Sequence, residues 1–305
     1  MQDNLVAEKT SILQKVLTLV FVWMPPVVLL WCILRGWSSY VDRLSIVLFV
    51  IFTAVSGFGV TIGFHRHFTH GSFKTYSFIR YIFVVLGSFA VQKNPLEWVA
   101  FHRVHHQHSD QVGDPHSPHT HGGGWWGSVR GFYHAHMGWF SKKLPNQEHY
   151  IKDLLKDRGL VLMSNLFLVW VAVGLLLPGV IAFLVTGSVR SAVLGFVWGG
   201  VIRLGFVYHL TWSVNSICHI WGTRRFNTKD ESRNNWILGP IGFGEGWHNN
   251  HHAIQTSARH GLVWYELDPS WWIIRFMKSL RLVWDVRVPT REEIARLRGK
   301  LNTAI

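Results

Sequence analysis

The sequence predicts an all-α integral membrane protein with four transmembrane helices, organised as a single domain over residues 1–305. Three observations carry that prediction. Hydrophobic residues make up 49% of the 305 and charged residues only 15%, an excess that favours a bilayer over bulk water as the surrounding medium. Four apolar runs approach the ~20 residues that an α-helix needs to cross the hydrocarbon core. The 19 histidines gather in a few stretches, and the densest of these lie just beyond the apolar runs.

The first run, residues 12–34, contains Pro25 and Pro26, so a kink is expected there. After a polar link over 35–43, apolar character resumes over 44–64 and stops at His65. Together these runs read as a hairpin that returns to its starting side. Residues 78–91 are apolar but short, and read as a buried or interfacial helix. The chain is then polar, His-rich and Gly-rich to residue 158, with GGGWW at 122–126. Two further spans are expected over 160–186, interrupted by Pro178, and over 192–214, which contains Arg203. A charge inside a span is costly, and it either snorkels or pairs, or lines a polar cavity; the last reading is favoured for Arg203. The stretch 271–300 mixes aromatic, apolar and basic residues, as a solvated or membrane-surface helix does.

Two spans precede His65 and two more precede His219, so an even number of crossings puts every histidine cluster on one face. Arg66, Lys74, Arg80, Arg103, Lys142, Lys143, Arg224 and Arg225 fall on that face. The excess of basic residues assigns it to the cytoplasm. Cys32 and Cys218 are the only cysteines, too few for a disulfide framework or a thiolate metal site, which fits a reducing, cytoplasm-facing active region. The formal net charge of +13 first suggests nucleic acid, but the long apolar runs exclude that reading. Anionic lipid, an acidic substrate head group or an acidic redox partner remain as attractors. No cleavable signal peptide is expected, because the run after Lys15 lacks a small-residue cleavage site.

The chemistry lies in three motifs: HRHFTH (65–70), HRVHHQHSD (102–110) and GEGWHNNHH (244–252). His102, His105 and His106 stand at i, i+3 and i+4, and His248, His251 and His252 repeat that spacing. On a helix such positions share one face, so their imidazoles can converge. His65 and His70 are five apart and converge only if the helix ends there. A single histidine is usually a surface or hydrogen-bonded residue, but three such clusters on one face point to metal. Eight imidazoles exceed what one tetrahedral ion uses, so two metal ions are expected. Neutral imidazole suits Fe, Zn or Cu alike. Nearby carboxylates are needed to orient the rings, and Asp110, Asp114, Glu97 and Glu245 are the candidates.

These clusters, with DPHSP (114–118), RGFYHAHMGW (130–139), WSVNSICHIWG (212–222) and SRNNW (232–236), resemble the membrane fatty acyl desaturases, specifically the acyl-CoA Δ9 (stearoyl-CoA) type, from about Val60 to Leu267. The resemblance implies four transmembrane helices beneath a cytosolic helical cap, here 65–158 and 215–305, that holds a His-rich dimetal site. It implies two Fe2+ ions, with O2 as co-substrate, held by His65, His70, His102, His105, His106, His248, His251 and His252. His219 matches the family's ninth ligand, and Asn215 its water-mediated contact. His67 and His108 fall at positions that the family does not use as ligands; His116, His119, His121, His134 and His136 are loop or supporting residues. The implied reaction places a cis double bond, Δ9, in a long-chain saturated acyl-CoA or acyl-lipid. A tunnel would set the position: Trp212 could line its bend and Phe49 or Phe52 close its far end, with ordinary membrane packing as the other role for all three. Arg224, Arg225 or Lys229 could meet CoA phosphates, although the basic bias of a cytoplasmic face also explains them.

Some positions depart from the family pattern. Ile254 and Gln255 replace the usual Phe-Pro, and Arg225 stands where Pro is common. Only ~50 residues follow the last motif, too few for another sizeable domain. Electrons are therefore expected from a separate donor of ferredoxin or cytochrome b5 type, with its reductase. A related di-iron hydroxylase or oxygenase is the nearest alternative. A non-catalytic His-rich metal transporter or sensor would instead place ligands within the spans.

Overall fold

The computed structural model describes residues 12–36, 39–144 and 146–302, and almost all of its regular structure is helical. Helix α1, Ile12–Leu34, stays unbroken through Pro25 and Pro26. Pro25 packs where Gly205 has no side chain; a Cβ there would stand 2.7 Å from the proline.

Helix α2, Arg43–Phe58, opens on a capping box between Asp42 and Ser45, which satisfies backbone donors that a helix start leaves free. It continues without a break into a π-helical segment, Gly59–Thr69. A two-residue strand, β1 (Lys74–Thr75), leads to α3, Ser77–Ser88, the short apolar helix expected near 78–91. Then come α4, Pro95–His108, capped by Asn94, and α5, Gly124–His136. Helices α6, Arg158–Asn165, and α7, Phe167–Thr186, follow. Helix α8, Val189–Gly195, passes through a π-helical stretch, Phe196–Ile202, into α9, Arg203–Ser216. The C-terminal part carries α10, Leu238–Ile241, and α11, His248–Ala253. It continues with α12, Pro269–Ser279, strand β2, Val283–Trp284, and α13, Arg291–Asn302. Strand β2 pairs antiparallel with β1, so the C-terminal third is tied to the link after α2.

Among the described residues three continuous helices are long and apolar enough to cross a membrane: Arg43–Thr69, Phe167–Thr186 and Val189–His219. The apolar stretch Val22–Leu34 of α1 is shorter. Three expected boundaries change. The span expected over 44–64 runs on to Thr69, so His65 lies inside the helix and His70 caps its end. The run expected to start at 160 divides at Leu166, because Asp157 caps α6 and a separate helix begins at Phe167. The last run extends at both ends, to 189 and 219.

Arg203 also departs from expectation, for it is not among the residues that line the cavity beside the histidines. Its side chain is fully buried and donates to the carbonyls of Gly199, Phe89 and Gly174 and to Ser56 Oγ. Three backbone carbonyls and one hydroxyl, drawn from four parts of the bundle, solvate this cation.

Candidate metal centre

The first cluster is positioned by the π-helical segment. Hydrogen bonds of the i→i+5 type bring residues five apart together. His70 N–H donates to His65 O at 3.2 Å, and the two rings sit 4.9 Å apart between centroids. Close approach of α3 fixes the segment: a Cβ on Gly59 would stand 2.2 Å from Gly87 N. Helix α4 supplies the second cluster, with Trp98 stacked on His102, and α11 the third.

The nine predicted rings come together as two groups. Donor nitrogens of His65, His70, His102, His106 and His251 lie within 4.8 Å of one another, and those of His105, His219, His248 and His252 form a second such group. Sharing a helical face does not mean sharing a group. Helix α4 gives its i,i+4 pair, His102 and His106, to the first and His105 to the second. Helix α11 does the reverse, giving His248 and His252 to the second and His251 to the first.

Four rings rest on carboxylates. His65 Nδ1 meets Glu245 at 2.6 Å, His105 Nδ1 meets Asp114 at 3.0 Å, and His219 Nδ1 meets Asp110 at 2.8 Å. His252 Nδ1 meets Asp230 at 2.8 Å. Expected partners Asp110, Asp114 and Glu245 thus stand behind imidazoles. Glu97 does not; it pairs with Lys93 at 2.9 Å. Asp230 was not foreseen, since it lies in a loop and belongs to no motif. Burial alone would raise these carboxyls, but hydrogen bonds and charge from the histidines hold Asp110, Asp114 and Asp230 well below the usual carboxylate range. Glu245 is held down likewise by His65, His260 and Arg66.

A proton on Nδ1 leaves Nε2 as a bare lone pair. His105 Nε2 and His252 Nε2, both so oriented, face each other at 3.4 Å, and four further Nε2 pairs stand at 3.0 Å. Lone pairs at that separation repel unless a cation or proton lies between them. Burial, and then neighbouring rings, pushes His70, His102, His106, His248 and His251 well below the usual imidazole range, so protonation is disfavoured. His252 falls to about 4, burial outweighing Asp230, whereas at His105 Asp114 overcomes burial and raises the value. Neutral, convergent imidazoles fit a divalent transition metal.

Arg66 and His260 complete the surroundings, and neither was flagged by spacing. Arg66 is fully buried and bridges Glu245 and Asp268. His260 packs 4.6 Å from the His251 ring. Of the remaining histidines, His116 stacks 4.2 Å from His105, and His119 and His134 bind the carbonyls of His219 and Pro115. His136 contacts His209 and Ser216, and His121 lies beside His134. His67 bonds to Phe73 O.

A cavity of about 780 Å³, counting its open mouth, runs against both groups. Its walls include Val60, Phe101, Trp139, Val207 and Phe243, and its polar side carries His65, His102, His248 and Asn215. Trp212 is not in that lining and takes the packing role instead of the tunnel role; it stacks 5.0 Å from Tyr208 and packs on Phe140. Phe49 and Phe52 are likewise outside it, packed against Trp198 and Phe89. Arg224 pairs with Glu231 and Arg225 with Glu266, so both guanidinium groups have protein carboxylates in place of the expected phosphates.

Fold and site define a helical membrane protein with two buried histidine groups fit to hold metal beside an apolar cavity. The chain belongs to the fatty acid desaturase family, which matches residues 43–284. It is 39% identical over 262 residues to the hex-5-enoyl-[acyl-carrier protein] acetylenase of Moorena producens, covering 85% of this chain and 81% of that protein. The sn-1 stearoyl-lipid 9-desaturase of Synechocystis sp. is 39% identical over 251 residues, 81% of this chain and 73% of the relative. The icosanoyl-CoA 5-desaturase of Limnanthes douglasii is 38% identical over 262 residues, 83% and 67% respectively. The protein is thus a membrane oxidoreductase of the desaturase type, acting on a fatty acyl chain.

Proposed function

We propose that this protein is an O2-dependent desaturase that places a cis double bond, Δ9, in a long-chain saturated acyl-CoA or acyl-lipid at a di-iron centre. The observation that carries the reading is the apolar cavity whose wall includes rings from both histidine groups. His65, His70, His102, His106 and His251 would hold one ion. His105, His219, His248 and His252 would hold the other, with Asn215 contacting it through a water. When bound, the iron pair would use O2 to remove two hydrogens from adjacent methylenes.

The protein's own part is positional. Asp110, Asp114, Asp230 and Glu245 keep a proton on Nδ1 of their histidines and so aim Nε2 at the ion. Phe101, Trp139 and Val207 exclude water and hold the acyl chain. Burying that chain gains roughly 0.8 kcal/mol per CH2, so affinity comes easily and the cavity's shape must set the position of attack. With Arg224 and Arg225 paired internally, contact with a phosphate head group would require exchange of those carboxylates.

In the membrane, α1 would add a fourth crossing to the three long helices. The even number returns all histidine motifs to one side, where basic residues are dense and the cytoplasm is assigned. There a separate ferredoxin or cytochrome b5 type donor would deliver electrons.

Expression in a desaturase-deficient host, followed by fatty-acid profiling with double-bond location, tests the proposal. A new Δ9 monounsaturated acid, dependent on O2, is expected, and recovery from CoA or glycerolipid pools identifies the carrier. A hydroxylated acid would decide for the oxygenase alternative. No change in the acyl profile, with metal still bound, would decide for a non-catalytic metal protein.

A further inference from the structure

The two histidine groups differ in the anions behind them. Three of the four rings in the second group rest on carboxylates: His105 on Asp114, His219 on Asp110 and His252 on Asp230. Among the described residues the ion-pair partners of those three acids are histidines only, so their charge is directed at the site. In the first group Glu245 alone backs a ring, that of His65, and Arg66 lies 3.1 Å from its other oxygen. One anion behind five rings is thus partly neutralised.

The rings also differ in how firmly they are held. His106 Nδ1 and His251 Nδ1, on the side of each ring away from the site, are buried without a hydrogen-bond partner, against His248 Nδ1 alone in the second group. No side chain or carbonyl holds a proton on those two first-group nitrogens, so an arriving ion must order the rings. An imidazole whose Nδ1–H donates to a carboxylate is both a stronger donor and already in the right tautomer.

Resting on the reading of these nine rings as ligands, we propose that the two metal sites are unequal in affinity. The four-histidine site fills first and empties last, and Asp230 is a positioning residue for it through His252. One further neutral imidazole in the five-histidine site does not offset three ionised carboxylates.

Asp230→Asn separates the alternatives. Asp230 Oδ1 accepts from Ser232 N–H and Oγ–H, while Oδ2 accepts from His252. With Asn, the oxygen stays with Ser232 and the amide N–H2 faces His252 Nδ1. That forces the ring proton onto Nε2 and removes a ligand. Glu245→Gln does the same to His65 in the other site, with its oxygen kept by Arg66.

The experiment is stepwise loading of metal-free, full-length protein with 57Fe2+ against a competing chelator, read by Mössbauer spectroscopy. Wild type should fill one quadrupole doublet before the other. Asp230→Asn should weaken the tight step about 10- to 100-fold and leave the loose step in place, and Glu245→Gln should weaken only the loose step. Doublets that grow together in wild type would overturn the proposal without any variant. So would a tight step that Asp230→Asn spares or that Glu245→Gln weakens instead. Wild-type protein that takes up fewer than two irons would sink the ligand assignment itself, a different failure.

Discussion

Among single residues, His251 and His121 make the sharpest pair. His251 is fully buried and its Nε2 lies 3.0 Å from both His65 Nε2 and His106 Nε2. His121 only touches His134 and Thr120 at the surface. His251→Ala should abolish desaturation and lower iron content, while His121→Ala should alter neither; iron analysis and product profiling on the same preparations check both. Wild-type activity in His251→Ala would remove the ligand assignment. Motif spacing made eight of the nine rings readable, because few other uses require HxxHH twice on one face; His219 came only from the family resemblance. It did not reveal Asp230, which meets His252 across 22 positions of chain, nor Arg66 and His260, whose roles exist only once α2 and the C-terminal third are packed. Contacts of that kind leave no period in a sequence.

For the helical elements, hydropathy located the spans and the short α3, but not the change of helix type that places His65 beside His70. The π-helical geometry follows from packing: Gly59 lets the α3 backbone approach, and Gly63 makes room for Phe83. Local propensity does not encode such contacts. Arg203 was misread for a related reason. Its cost in hydrocarbon suggested a watery cavity, whereas carbonyls from other elements solvate it. Phe89 O, at the end of α3, is an acceptor that a helix end leaves free, and Arg203 satisfies it. Arg203→Met should keep the apolar stem yet leave that oxygen buried and unpaired, at a cost of about 1–3 kcal/mol. A lower thermal midpoint with metal content retained is the expected outcome, and an unchanged midpoint would deny Arg203 this part in joining the bundle.

On the scale of the whole molecule, the reading requires one side of the bilayer to hold every histidine motif. Val112, almost wholly exposed, lies in the loop after α4, and Val189, the first residue of α8, is exposed as well. Both native cysteines are buried, so background labelling should be low. A membrane-impermeant thiol reagent should label Val189→Cys in intact cells but Val112→Cys only after permeabilisation. The reverse pattern would invert the topology; labelling of both in intact cells would break the hairpin arrangement. The apolar runs foretold the three membrane-length helices because a bilayer dictates span length, whereas no comparable constraint dictated the tunnel. Trp212, chosen for its place three residues before Asn215, turned out to pack on Tyr208.

The exchange of histidines between α4 and α11 has a consequence for biosynthesis. A nascent chain that has not yet passed residue 244 already owns four rings of one group and two of the other, and completes neither. Both groups therefore reach their full set of rings only after all three long helices have been made. A chain cut short before residue 248 should keep those helices but lack one ring of the first group and two of the second, and a full metal content is then not expected.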